Sequence, residues 1–430
     1  MHRTILEPLR WMEDPARVTI IENGGLPKTY LQIVTKHRLR EMCVGRPVEE
    51  LPRILTIVSP THHLVSALAL DTLFNVEPPP LAVNLREALL ETQFLGRHLR
   101  RLYFLLSTQS SAFEGFSLNR RNTGGHPASQ DMIHLLMRHV TLAQEASKIL
   151  GGREDHPISV IPGGVSRFLK QQYYDRLSEI ALSFKALANK LTHFLTEFKI
   201  DEDLGGLALK PVLAMSISED RSQIELHDFL GKSIDQFPVE QLFAKIGFHE
   251  EPWTYKPFTF LNDLGWKPLN SEDIPGVYFV GPFARLISRT EIGFPASQGG
   301  EKGFWDEVKP SARFTIQNAY RALILESYKS AIRIADLYRQ ENLTGPTIRN
   351  IPTEIGDEGF AAIEAPEGLV AHRYRTDKRG IVREIDIVDA ASQNNALKCL
   401  IVRNAVEGSS NWKHDLKFTK ARIEKALLPF

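Results

Sequence analysis

Four long stretches with helical periodicity constrain this chain more than any other feature. The first, Leu81–Leu106, follows Pro78-Pro79-Pro80, a stiff entry through which no helix can continue from upstream. Its apolar residues Leu85, Leu89, Leu90, Phe94, Leu99 and Leu102 recur near a period of ~3.6. The second, Asp131–Leu150, is closed by Gly151-Gly152. The third is Ser166–Phe198. The fourth, Arg313–Arg339, follows the loop Gly293–Gly303. Helices of this length bury their apolar stripes against one another, which points to a bundle.

Both ends read as β. Arg17-Val-Thr-Ile-Ile and Thr29-Tyr-Leu-Gln-Ile-Val-Thr flank Asn23-Gly24-Gly25, a strong hairpin turn. Near the other end, Phe360–Ala365, Gly368–Arg375 and Ile381–Val388 form a predicted three-strand meander. Asp377-Lys-Arg-Gly380 supplies its second turn. Thr419–Leu428 reads as a short helix. The predicted class is α+β, mainly helical: a central long-helix bundle with an N-terminal β-hairpin and a C-terminal antiparallel sheet. A length of 430 residues allows two to three domains. The pattern instead suggests one domain, 1–430. It comprises an N-terminal hairpin and loop (1–58), a helical core (59–204), a mixed insertion (205–310), and a helix plus C-terminal sheet (311–430).

Composition narrows the function classes. Lys+Arg and Asp+Glu are equal at 52 each, so no net field exists to hold nucleic acid. No segment has a signal-peptide core or the ~20 apolar residues of a spanning helix, and a cytoplasmic protein is expected. There are two cysteines, Cys43 and Cys399. Two thiols cannot build a disulfide scaffold, an all-cysteine zinc site or a four-thiolate Fe–S cluster.

Local motifs are individually modest. In Ser59-Pro-Thr-His-His-Leu-Val-Ser-Ala-Leu-Ala-Leu-Asp71, Ser59 or Thr61 can cap a helix with Pro60 in its first turn. His62 and His63 then point two ways, a poor metal clamp. Gly151–Pro157 and Pro162-Gly-Gly-Val165 bracket a short strand, Ile158–Ile161. Such glycines can cradle an anion, but the lysine of a P-loop and the spacing of a dinucleotide fingerprint are missing.

In order and spacing, these segments together resemble one family, the large subunit of nickel–iron ([NiFe]) hydrogenases, especially cytosolic forms. The likeness runs nearly end to end. Glu7-Pro8 with Glu13, the Asn-Gly-Gly turn, and Leu39-Arg-Glu41 before Gly45-Arg-Pro-Val-Glu-Glu-Leu-Pro-Arg-Ile54 look like its N-terminal block. His62–Asp71 looks like the helix after its first metal motif. Gly151-Gly…His156-Pro…Gly163-Gly-Val looks like its central signature. Val280-Gly-Pro-Phe-Ala-Arg285, Ile363-Glu-Ala-Pro366 and Gln393-Asn-Asn395 match three later landmarks.

The chain departs from the family where the metals would sit. The family holds nickel and iron with four cysteines. Its first motif, Arg-x-Cys-Gly-x-Cys-x-x-x-His, is replaced by the shorter Pro52-Arg-Ile-Leu-Thr-Ile-Val-Ser-Pro-Thr-His62, without cysteine. Its second, Asp-Pro-Cys-x-x-Cys-x-x-His, would begin roughly at Phe430. The family's Ala-Pro-Arg-Gly, whose Arg overhangs the metals, reads Ala365-Pro-Glu367-Gly here. Thiolates make such a site soft and anionic enough for nickel and low-spin iron. Glu13 matches the family's proton-relay glutamate, Glu41 a magnesium ligand, and His62 survives. Without partners, their plain reading is structural hydrogen bonding. The hydrogenase-like subunit of respiratory complex I is a more distant likeness. Its quinone hairpin carries histidines where Arg10–Pro15 has none.

The resemblance implies a metal-free, large-subunit-like component of a cytoplasmic Fe–S electron-transfer complex, with a structural or docking role. No cofactor is expected on this chain. Fe–S clusters are expected in partners, namely a small-subunit-like Fe–S protein and further electron-transfer subunits. The alternative is a redox enzyme that binds an organic substrate or quinone in the vacated metal pocket. Glu13, His62, Glu367 and His372 would then line it and shuttle protons.

Overall fold

The computed structural model describes residues 2–9, 15–33, 38–111, 127–200, 204, 212–289, 293–295, 301–303, 308, 313–339, 343–408 and 412–430. The bundle forms as the periodicity predicts. Helices α1 (Leu39–Cys43), α2 (Leu51–Leu55) and α3 (Pro60–Leu73) lead into three long ones: α4 (Pro80–Ser111), α5 (Pro127–Gly151) and α6 (Gln171–Glu197). α4 packs on α5, and the helix Ile316–Leu337 packs on both α4 and α6. The buried residues of α6, from Leu177, Ile180 and Phe184 to Leu191 and Leu195, keep to one stripe at helical spacing. The helix Ile316–Leu337 is buried almost all round and is the bundle's central member. Its N-cap Thr315 accepts from the Asn318 N–H. Each fully buried leucine here contributes about 1.5–3 kcal/mol relative to exposure.

At the N-terminus, the predicted hairpin is part of a three-stranded antiparallel sheet: β1 (His2–Leu6), β2 (Ala16–Glu22) and β3 (Lys28–Ile33). The added strand β1 pairs His2 with Glu22 and Leu6 with Val18. The mixed region holds a four-stranded sheet in the order Tyr278–Phe279, Leu213–Ile217, Gln223–His227, Ser233–Pro238. Its first pair is parallel. The C-terminal meander forms as expected, with Glu358–Ala365, Gly368–Thr376 and Val382–Val388 in that order.

Three details at helix N-termini go beyond or differ from the sequence expectation. α6 begins at Gln171, not Ser166, because the Ser166 N–H bonds the Ser159 carbonyl at 2.7 Å and stays in a hairpin. Ser59 occupies the N-cap of α3 but makes no side-chain cap bond. A further helix spans Asn395–Glu407; its N-cap Asn394 makes no side-chain cap bond and uses its side chain elsewhere, on Val280.

The Pro162-Gly-Gly-Val165 signature is explained by packing. Arg86, 5% exposed, pairs with Asp71 and donates to the carbonyls of Ile161 and Gly164. Asp71 also accepts the Gly163 N–H at 2.7 Å. Gly163 has φ +77°, and a Cβ there would lie 2.0 Å from the Asn350 carbonyl oxygen. These glycines therefore admit the segment 348–350, which crosses directly over them. Gly163→Ala is expected to lower stability by about 1–3 kcal/mol through overpacking, measured as a drop in denaturation midpoint.

Candidate functional site

Two periodicities assemble the polar centre of the molecule. His62 and Ser66 are four apart on α3 and share a helix face. His372 and Tyr374 are two apart on Gly368–Thr376 and share a strand face. α3 packs against this strand and its neighbour, Glu358–Ala365, so the two faces meet. His62 Nδ1 lies 2.8 Å from His372 Nε2, His372 Nδ1 lies 2.5 Å from the Tyr374 hydroxyl, and Tyr374 donates to Ser66 Oγ at 2.9 Å. All four side chains are buried.

The proton pattern follows from that last bond. The Tyr374 proton points to Ser66, so its oxygen accepts from His372 Nδ1–H. His372 Nε2 is then the acceptor for His62 Nδ1–H. Burial holds His372 well below its ordinary value of 6.5, the charge of His62 adds to this, and Asp389 partly offsets it. Asp389 opposes its own burial. The Lys256 ammonium at 3.2 Å, His62 and the Ser392 N–H keep its carboxylate well below the usual range.

His63 points the other way. Its Nδ1 lies 2.8 Å from the Pro52 carbonyl oxygen, which pins the start of the shortened segment Pro52–Thr61 to α3.

A second network lies beside this one. Arg285, 3% exposed, is forked by Glu326 at 2.6 and 2.8 Å and by Glu364 at 2.6 Å, and it donates to the Ala365 carbonyl. His98 Nε2 lies 2.8 Å from Glu326. Burial would raise Glu326, but Arg285 and His98 together hold it well below the carboxylate range. Glu367 follows on the same turn and faces Arg97 at 3.6 Å. Burial opposes its charge, yet Arg97 and Arg101 keep it lowered and ionised. The turn is closed by a backbone crossing: Gly281 has φ +107°, and a Cβ there would lie 2.6 Å from the Glu367 carbonyl oxygen.

The Gln393-Asn-Asn395 landmark is a staple. Gln393 donates to the Leu369 carbonyl, Asn394 bonds both backbone groups of Val280, and Asn395 donates to the Lys256 carbonyl.

No protein-family model matches the chain. An iron-sulfur subunit of the F420-non-reducing hydrogenase of Archaeoglobus profundus is 23% identical over 434 residues, covering 95% of this chain and 88% of the relative. A vhu subunit of the F420-non-reducing hydrogenase of Methanocaldococcus jannaschii is 26% identical, covering 92% and 96%. The beta subunit of the NAD-reducing hydrogenase HoxS of Cupriavidus necator is 24% identical, covering 94% and 88%. The structure of an NAD+-reducing [NiFe]-hydrogenase in its H2-reduced state superposes with a TM-score of 0.83 at 22% identity, covering 100% of this chain and 97% of that one. A Ni-Fe-Se hydrogenase from D. vulgaris Hildenborough gives 0.75 at 16%, covering 100% and 99%.

The chain is [NiFe] hydrogenase large-subunit-like. The end-to-end likeness read from the residues is borne out in fold and in sequence.

The residues present do not fit the family's thiolate-held metals. Cys43 sits among Val48, Leu51 and Leu55, while Cys399 belongs to the separate bundle core. Burial pushes the Cys43 thiol up to about 11 and Cys399 up to about 12, so both stay protonated at neutral pH. Among the described residues, no group of three or more His, Cys, Asp or Glu side chains could hold a metal ion.

Of the sequence candidates, the structure brings His62 and His372 into contact. Glu367 joins the arginine network. Glu41 is exposed on α1, paired with Arg38 at 3.3 Å. Glu13 lies outside the described residues. Sequence reasoning missed Ser66, Tyr374, Asp389 and Arg97. The first two stand at helix and strand spacing from His62 and His372, a signal usable only once the helix and strand are known to meet.

Tyr374→Phe leaves the His372 Nδ1–H and Ser66 without their shared partner. It is expected to cost about 1–3 kcal/mol, read by chemical denaturation. Acid sensitivity follows from the histidines. Burial lowers His63, His98, His139 and His372 from 6.5, so below that pH the unfolded chain binds protons that the folded chain does not. Stability is therefore full above 6.5 and falls as pH drops, by up to about 1.4 kcal/mol per pH unit for each histidine. Equal stability at about pH 7.5 and about pH 5.5 would contradict this.

Proposed function

We propose that this chain is a metal-free, large-subunit-like component of a cytoplasmic hydrogenase-related redox complex, where it docks a small Fe–S protein. The observation that carries this reading is internal to the chain. The stretch Pro52–His62, where the family's first cysteine pair falls, has no cysteine, and the two histidines beside it bond other groups of the chain, His62 to His372 and His63 to the Pro52 carbonyl. The inverted charge fits as well. A cationic Arg complements an anionic metal cluster, whereas Glu367 is neutralised by guanidinium groups of the chain itself. Each of the curated relatives is one subunit of a hydrogenase, which supports membership of a multi-subunit assembly. In this reading, Fe–S clusters reside in the partner subunits. We also propose that residues 1–430 act as one unit, because the largest apolar core runs from Leu6 to Phe430. Among the described residues, no helix is long and apolar enough to cross a membrane.

The alternative, an organic substrate or quinone in the vacated space, requires His62 and His372 to meet a ligand. They are 2% and 0% exposed and bonded to each other, which favours the docking role.

Purification from the native host, with metal analysis and identification of co-purifying chains, tests the proposal. The expected result is sub-stoichiometric nickel, with iron travelling with a smaller partner. Nickel at one per chain would overturn it. Glu367→Arg, the family's residue, sets a third guanidinium beside Arg97 and Arg101. With that side chain 25% exposed, screening limits the expected loss of stability to about 1–3 kcal/mol, read as a lower melting temperature.

A further inference from the structure

A cleft of about 550 Å³ opens between α4, the helix Ile316–Leu337 and the turn that joins strands Leu213–Ile217 and Gln223–His227. That is the size of a small-molecule site. None of His62, His372 and Glu367 lines it, so the inference stands apart from the proposed function.

Its floor is Arg285 clamped between Glu326 and Glu364, so that this guanidinium is taken up by two carboxylates of the chain. Leu90, Phe94 and Leu286 give an apolar wall. Glu91 faces in from α4 and accepts from Ser330 Oγ at 2.7 Å. Burial raises the Glu91 carboxyl and so weakens the negative charge at that wall.

The mouth differs. Arg289 donates only to the Ile217 carbonyl, at 3.5 Å, and the Arg221 guanidinium meets no acceptor among the described residues. Glu219, on the same turn as Arg221, is exposed on the rim.

Arg221 is also strained. Its φ is +62°, a conformation that costs a side-chain-bearing residue about 1–2 kcal/mol and that glycine adopts freely. Asp220 locks the turn by accepting from Ser218 Oγ, Ser222 N–H and Ser222 Oγ. The strained residue is one of those that line the cleft, and strain of this kind gathers at ligand sites.

We propose that this cleft binds a small organic acid, with its carboxylate held between Arg221 and Arg289 and its apolar body against Leu90, Phe94 and Leu286. Guanidinium forks match a planar carboxylate, and the apolar wall rewards a hydrocarbon tail.

Isothermal titration of the full chain, with any co-purifying partner, tests this with hexanoate, hexanamide and inorganic phosphate. Saturable hexanoate binding is expected at millimolar concentration, with hexanamide and phosphate at least about tenfold weaker. Arg289→Gln should weaken hexanoate about tenfold. Arg221→Gly should also weaken it while raising the melting temperature, since the strain is relieved. The proposal is overturned if hexanoate does not bind, if hexanamide binds as well, if phosphate alone binds, or if Arg221→Gly leaves the affinity unchanged.

Discussion

A buried guanidinium sets the terms for the rest of the molecule. Arg285 comes from the short helix Pro282–Ser288. It is forked by Glu326 of the central bundle helix and by Glu364 of the C-terminal sheet, and it stacks over Phe94 of α4 with 5.3 Å to the ring centroid. An unpaired charge at that depth costs several kcal/mol, so each of these elements must arrive with its partner group in place. The arrangement anchors bundle, insertion and meander to one point. It also fixes the turn at Ala365-Pro366-Glu367, because Arg285 donates to the Ala365 and Pro366 carbonyls.

The same logic governs the polar centre beside it. His62, His372, Tyr374 and Ser66 form one continuous chain of buried hydrogen bonds, and groups so engaged with one another are less free to meet a ligand. Through the His62–His372 bond, the helix α3 and the strand Gly368–Thr376 are tied face to face. The residues kept from the family pattern hold the frame: Gln393, Asn394 and Asn395 staple strands and loops together, and Asp71 with Arg86 fixes the glycine turn at Gly163.

Much of this was legible in the residues. The long helices and the C-terminal meander follow from apolar spacing and from turn residues such as Asp377, whose carboxylate accepts two backbone N–H groups. Strand β1 was not foreseen, because no hairpin turn signal in the sequence marks its pairing with β2. The helix Asn395–Glu407 was not read from the sequence, although Asn394 is a residue type that can cap; in the fold its side chain bonds Val280 instead. At the site, His62, His372 and Glu367 stood out through the resemblance, whereas Arg97 and Asp389 carried no local signal.

By itself, the sequence determined the helical bundle, the β ends and the count of two cysteines, because periodicity and residue type are local properties. Only the tertiary structure decided that His62 meets His372, that Glu367 is answered by Arg97 and Arg101, and that Cys43 and Cys399 lie in separate cores. Those outcomes depend on which faces pack together across hundreds of residues, and burial then dictates which charges and protons each group can keep.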